Sequence, residues 1–143
     1  MSAFDGSVCS RRAWCGALLA SGLLLVVQPA WAGSYLDRTT LLVGQATREA
    51  DYLRLRLADR ELARTVHKLA AARLKAASTM QVPQEVAPAH PHLLLMLENY
   101  ERATDAAEQG QAGQFFEYVG RARDEEAILR AVLKQLGWPL PRR

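Results

Sequence analysis

The sequence predicts an all-α protein, an antiparallel hairpin or bundle of three helices that follows a cleaved signal peptide. Three segments rich in Leu, Ala, Arg and Glu carry apolar residues at three- and four-residue spacing, which is typical of amphipathic helices. Proline- or glycine-containing stretches separate these segments and indicate where the helices end. A basic and then apolar N-terminus precedes them.

Residues 1–32 have the parts of a secretory signal peptide. Arg11 and Arg12 precede an apolar run of 15 residues, 13–27, and an Ala-x-Ala site ends at Ala32. The alternative is an uncleaved anchor, but the run is shorter than the ~20 residues that span a bilayer. We therefore expect cleavage after Ala32, a periplasmic or secreted protein, and no membrane span after cleavage.

The residues left after cleavage, 33–143, form one predicted helical domain. Export through either the general route or the twin-arginine route fits the two adjacent arginines. Cys9 and Cys15 leave with the signal, so a disulfide or a thiolate metal site is not expected in the mature protein. With 16 basic and 14 acidic residues, residues 33–143 carry a net charge of +2, which is too balanced to favour nucleic-acid binding.

The first predicted helix covers residues 35–80. Ser34 and Asp37 resemble a capping box at its start. Two heptad-like seams follow, out of phase by two residues, so the helix is either one long coiled-coil-like rod or broken near 57–60. The first seam comprises Leu36, Val43, Ala46, Ala50, Leu53 and Leu57, and the second comprises Leu55, Leu62, Val66, Leu69 and Ala76. An unbroken rod would leave its N-terminal half without a partner and would favour a homo-oligomer.

A proline-rich linker, 81–90, leads into two shorter predicted helices at 91–109 and 114–136. The prolines favour an extended linker, and Pro91 suits the first turn of the next helix. Gly137 suits a left-handed helix C-cap. The predicted apolar faces are Leu93, Met96, Leu97, Tyr100, Ala103 and Ala107 on one helix, and Phe115, Val119, Ala122, Leu129, Val132, Leu133 and Leu136 on the other.

Charge patterning predicts how the first two helices pair. Residues 35–80 carry a net charge of +4 and residues 81–113 a net charge of −4. Antiparallel packing would bring the basic flank of one segment against the acidic flank of the other, or each face is solvated separately. The pairs predicted from this register are Arg73 with Glu98, Lys68 with Asp105, and Arg64 with Glu108. Glu125 and Glu126 are expected at a helix edge, paired with Arg121 or Arg130.

The sequence offers little catalytic chemistry, so we expect no enzyme. The mature chain has few hydroxyl side chains, and none lies in a nucleophile elbow or a glycine-rich phosphate loop. We expect a non-catalytic helical protein of the bacterial cell envelope that binds a protein partner or itself, with no cofactor.

The alternative prediction is a metal site for copper. His90 and His92 flank Pro91, Met96 follows His92 by one helical turn, and the antiparallel return of the chain should bring Met80 to the same end. Two imidazoles and two thioethers suit a soft ion such as Cu(I). His90 and His92 solvated at a helix entry, with the two methionines in the core, is the competing interpretation. His67 is expected at the surface or boundary, away from this end.

Overall fold

The computed structural model describes residues 30–141, with side chains from residue 32, and this part of the chain folds into four α-helices and one short 3-10 helix. They are α1 (Ala30–Arg54), α2 (Arg60–Ser78), the 3-10 helix (Gln84–Ala89), α3 (His90–Glu108) and α4 (Ala112–Gln135). The all-α prediction is confirmed. The predicted signal peptide lies mostly outside the described residues, and a cut after Ala32 would fall in the first turn of α1.

The first predicted helix is broken near residues 57–60, the alternative that its two seams left open, so the described residues form four α-helices and not three. Leu55 and Arg56 bond back to carbonyls three residues earlier, which tightens and ends α1. Asp59 then has extended backbone and accepts a 2.9 Å hydrogen bond from the amide of Leu62 through Oδ1, so that it forms the N-cap of α2. The break lets α2 fold back along α1, and the apolar stripe of α1 finds its partners within the same chain. The N-terminal half of α1 therefore needs no second copy of the chain to cover its apolar stripe.

Contacts between paired residues define the direction of each helix. Glu49 of α1 meets Arg73 of α2, and the beginning of α1 lies beside the end of α2, so these helices are antiparallel. Arg64 of α2 meets Glu108 of α3, and α3 and α4 are antiparallel in the same way. The chain therefore runs up and down through four consecutive helices, with α3 packed against each of the other three.

The core confirms most of the predicted apolar faces. All six predicted residues of α3 are buried, as are five of the seven predicted for α4. In α4 the exceptions are Val132, which is partly buried, and Leu136, which is exposed. The first seam is also largely right, with Val43, Ala46, Ala50 and Leu53 buried.

The second seam is right only in part, since Val66 is buried and Leu62 is partly buried. Asp59 restarts the helix and resets its phase, so Leu55 and Leu69 are exposed instead of buried. The residues of α2 that face the core are Ala63, Val66, Ala70, Arg73 and Ala77. Alanine at three of these positions, seven residues apart, lets the α2 backbone approach its neighbours closely.

Two further predictions of local structure need correction. Residues 84–89 of the proline-rich linker form a 3-10 helix with Val86 and Ala89 fully buried, because the fixed φ of Pro88 is compatible with that helix. Ser34 is not an N-cap, since α1 already begins at Ala30, and its Oγ accepts a hydrogen bond from Arg38 at 2.7 Å.

The two predicted helix ends at glycine are confirmed in position. Gly137 has φ of +84°, and the amide of Trp138 reaches the carbonyl of Leu133 at 2.8 Å. Gly110 has φ of +78° between α3 and α4, where an added Cβ would also collide with the guanidinium of Arg60. Both positions are left-handed caps that favour glycine.

Candidate functional site

An apolar cleft of about 440 Å³ lies between the beginning of α1 and the end of α2. It exists because α2 folds back on α1, which brings the beginning of one helix beside the end of the other. Leu41 is 55% exposed at this cleft, whereas Leu42 and Met80 are partly buried in it. The lining residues are Arg38, Leu41, Leu42, Ala76, Thr79, Met80 and Gln81. We refer to this site as the α1–α2 cleft.

The outer face of α1 continues this apolar character away from the core. Leu41, Tyr52 and Leu55 are 55%, 50% and 74% exposed. Leu41 and Tyr52 are 11 residues apart and share one face of α1, and Leu55 follows in the turn directly after α1. Arg56 lies over the ring of Tyr52, with its guanidinium carbon 4.0 Å from the ring centroid. We call Leu41, Tyr52 and Leu55 the outer strip of α1.

The two histidines of the predicted copper site face different helices. His90 Nδ1 lies 3.2 Å from the hydroxyl of Tyr35 on α1, and His92 Nδ1 lies 2.9 Å from Oε2 of Glu125 on α4. They diverge because His90 is already the first residue of α3, and side chains two residues apart on a helix point to nearly opposite sides.

The two methionines of that predicted site are also separated by their surroundings. Met96 is fully buried in the core, and Met80 lines the α1–α2 cleft. Neither histidine lines that cleft. The structure thus places the four residues in four different surroundings, and copper binding by His90, His92, Met96 and Met80 stays a prediction.

Burial sets the electrostatics at the contact between α1 and α3. Desolvation lowers the pKa of His90 and raises the pKa of Tyr35, so both groups favour their neutral forms. A neutral His90 accepts the Tyr35 proton at Nδ1, which fits their separation of 3.2 Å. Thr39 is buried on the same side of α1, and its hydroxyl opposes the rise in the pKa of Tyr35.

A second cluster of metal-ligating groups lies where α2 faces α3. His67, Asp105 and Glu108 each bring a potential ligand atom within 4.8 Å of the others. Within residues 30–141, these are the three His, Cys, Asp or Glu side chains whose potential ligand atoms converge in this way. This cluster was not predicted, because His67 was placed at the surface and Asp105 and Glu108 were assigned to Lys68 and Arg64.

The predicted ion pairs between α2 and α3 are confirmed only in part. Arg64 donates to Glu108 at 2.9 Å, as predicted. Arg73 instead turns inward to Glu49 of α1, while Glu98 pairs with Arg102 on its own helix. The remaining predicted pair, Lys68 with Asp105, does not form within the described residues.

Glu125 and Glu126 of α4 each pair with a basic side chain. Glu126 accepts from Arg130, as predicted, at 2.9 Å. Glu125 is bound by His92 and not by Arg121, which pairs with Glu117. Both carboxylates therefore join helices or stabilise α4 itself.

No protein-family model, curated protein or solved structure matches this chain. Among the helices of residues 30–141, none is both long and apolar enough to cross a membrane.

Proposed function

We propose that this protein is a non-catalytic helical module, exported to the bacterial cell envelope, that binds an apolar segment of a partner protein. The observation that carries the proposal is the α1–α2 cleft together with the outer strip of α1. Monomeric helical proteins bury most large apolar side chains, and a group of exposed ones beside a cleft favours an interaction surface.

The chemistry of the α1–α2 cleft suits an amphipathic helix or a short apolar peptide. Leu41, Leu42 and Met80 supply apolar contacts, and the flexible thioether of methionine adapts to different side chains. Arg38 lies at the edge of the cleft and can pair with a carboxylate of the partner. An apolar surface with one cation at its rim therefore favours a partner segment that is apolar on one side and acidic on the other.

The use of hydroxyl groups supports a non-catalytic role. Several hydroxyls donate to backbone carbonyls of their own helix, an arrangement that keeps them from being activated by a base. These are Thr65 to Glu61, Ser78 to Lys75, Thr79 to Lys75 and Ala76, and Thr104 to Glu101.

Photo-crosslinking in cells tests this proposal. A photoreactive phenylalanine derivative is placed at position 41 in the α1–α2 cleft, and a matched control is placed at Ile128 of α4, which is 42% exposed. We expect position 41 to give a discrete adduct with a second protein and position 128 to give none.

The mass of the adduct identifies the kind of partner. An adduct of twice the protein's own mass would replace the proposed partner by a second copy of this chain. The absence of an adduct at position 41, or the same adducts from both positions, would contradict a docking function for the cleft.

A further inference from the structure

We propose that His67, Asp105 and Glu108 form a binding site for a divalent ion of the Zn²⁺ class. This site is independent of the α1–α2 cleft and of the four residues predicted to bind copper. It joins α2 to α3 near the turn that leads to α4, and it rests on the arrangement of ligand atoms and on the hydrogen bond that orients the imidazole.

The ligand atoms already converge. Asp105 and Glu108 are three residues apart on α3 and share a face, and His67 meets them from α2, with the three ligand atoms within 4.8 Å of one another. Bonds of 2.0–2.2 Å around one ion would draw these atoms closer together. All three residues are only partly buried, so side-chain rotation is enough and the helices need not move.

A buried threonine fixes the orientation of the imidazole. The hydroxyl of Thr104, which is 3% exposed, donates its proton to the carbonyl of Glu101 at 2.7 Å. A hydroxyl has only one proton, so toward His67 Nδ1, at 3.3 Å, it can only accept. Nδ1 therefore carries a hydrogen, and in the neutral ring Nε2 holds the lone pair. Such a hydrogen bond from the outer shell is typical of metal-binding histidines.

The surroundings of His67 favour an added cation. Its Nε2 lies 3.8 Å from Oε1 of Glu101, and Asp105 and Glu108 follow Glu101 along the same face of α3. A lone pair beside a carboxylate is electrostatically unfavourable, and Arg64 compensates the charge of Glu108 only, so a further positive charge beside His67 would be stabilising. A metal ion supplies that charge, and so does a second proton on His67. The experiment below distinguishes the two.

The donor set selects the class of metal. One imidazole and two carboxylates suit Zn²⁺ or a similar borderline ion, whereas Cu(I) prefers thiolate and thioether sulfur. Three protein ligands leave one position for water or for a group of a partner. Arg64 competes at this site, since it donates to Glu108 at 2.9 Å, but its side chain is 59% exposed and free to turn into solvent.

Calorimetric titration of Zn²⁺ into the protein, purified from cells and treated with a chelator, tests the proposal. We expect one ion per chain and a rise in melting temperature on binding. His67→Gln should weaken Zn²⁺ binding at least tenfold. The matched control His92→Gln removes a histidine that is paired with Glu125, and it should leave Zn²⁺ affinity unchanged.

Two further variants separate metal binding from a purely structural role. Thr104→Val keeps the volume but removes the acceptor that orients His67, and it should weaken Zn²⁺ binding by about tenfold. Arg64→Ala removes the competitor for Glu108 and should strengthen it, an effect that a role in holding α2 against α3 would not produce. Circular dichroism confirms that each variant is folded.

Three results would overturn the proposal. One is a wild-type protein that takes up no Zn²⁺ while His67 titrates as an imidazolium in NMR spectra, which would identify the cation as a proton. Another is equal loss of binding in His67→Gln and His92→Gln. The last is a folded His67→Gln variant that keeps the wild-type affinity.

Discussion

Arg73 of α2 donates a hydrogen bond from Nη2 to Oε1 of Glu49 on α1 at 2.6 Å, and its side chain is only 7% exposed. This pair joins the two helices that the break at residues 55–59 allows to fold together. The second carboxylate oxygen of Glu49 is buried without a hydrogen-bond partner in the described structure, so Glu49 depends on Arg73 for its compensation.

Removal of Arg73 alone should strongly destabilise the protein. Arg73→Met leaves the Glu49 carboxylate without its cation, and loss of one partner of a buried pair costs about 3–5 kcal/mol of unfolding free energy. The double variant Arg73→Met, Glu49→Leu should recover most of that loss, because no charge is then left buried. Urea denaturation followed by circular dichroism measures both. Equal destabilisation of the single and double variants would show that the charge pair is not the cause.

The exposed pair on α4 provides a control for this experiment. Arg121 and Glu117 are 56% and 57% exposed and lie one turn apart. Arg121→Met should change the unfolding free energy by less than about 1 kcal/mol, because solvent screens such pairs. A loss comparable with that of Arg73→Met would mean that any arginine substitution has this effect.

The N-cap of α2 should be measurable by a single substitution. Asp59→Ala removes the acceptor for the amide of Leu62 and should lower the unfolding free energy by about 1 kcal/mol. Asp59→Asn keeps an acceptor at that position and should be nearly neutral. Thermal denaturation of both variants tests this. If Asn and Ala are equally destabilising, the hydrogen bond to Leu62 is not what starts α2.

Burial of His90 should make stability depend on pH. Because its pKa is lowered in the folded protein, the unfolded chain binds more protons between that lowered value and about 6.5. The unfolding free energy should therefore rise with pH across this window, and this gain in stability should disappear as pH falls through it. His90→Gln should flatten this part of the profile. Denaturant midpoints at pH 5 to 8 measure it, and parallel profiles for the two proteins would contradict the prediction.

The sequence was sufficient for the helical class, for the faces of α3 and α4, and for the cap at Gly137. These follow from local chemistry: apolar spacing in uninterrupted segments and a glycine after the last turn. All six residues predicted for the face of α3 are buried, and Thr104 and Ala106 are buried as well, because this helix contacts α1, α2 and α4 and is covered beyond its apolar stripe.

The break before α2 could have been found from Asp59, which is a favourable N-cap residue, but no glycine or proline marks it. The break near residues 57–60 was left open, and the second seam assigned Leu69 to the core in place of Ala70. Arg73 was predicted at the surface because arginine is rarely buried without a partner. Its partner, Glu49, lies on α1, and whether α1 packs beside α2 was left open.

The candidate sites depended on this same fold-back. The divergence of His90 and His92 follows from α3 starting one residue earlier than predicted. The α1–α2 cleft and the approach of His67 to Thr104 and Asp105 depend on how helices pack in three dimensions, and neither has a sequence motif of its own. Spacing along one helix could show that the acidic residues of α3 share a face, but not which residue of α2 would meet them.

A distance measurement between α1 and α2 tests the fold-back most directly. The two cysteines of the chain are at positions 9 and 15, so after removal of the predicted signal peptide new cysteines at Leu41 and Thr79 can be spin-labelled selectively. Both positions line the α1–α2 cleft, and packed helix axes lie 8–10 Å apart, so pulsed electron paramagnetic resonance should give one distance below about 25 Å. A continuous helix would place the two positions roughly 57 Å apart, and a distance in that range would contradict the four-helix fold and the cleft with it.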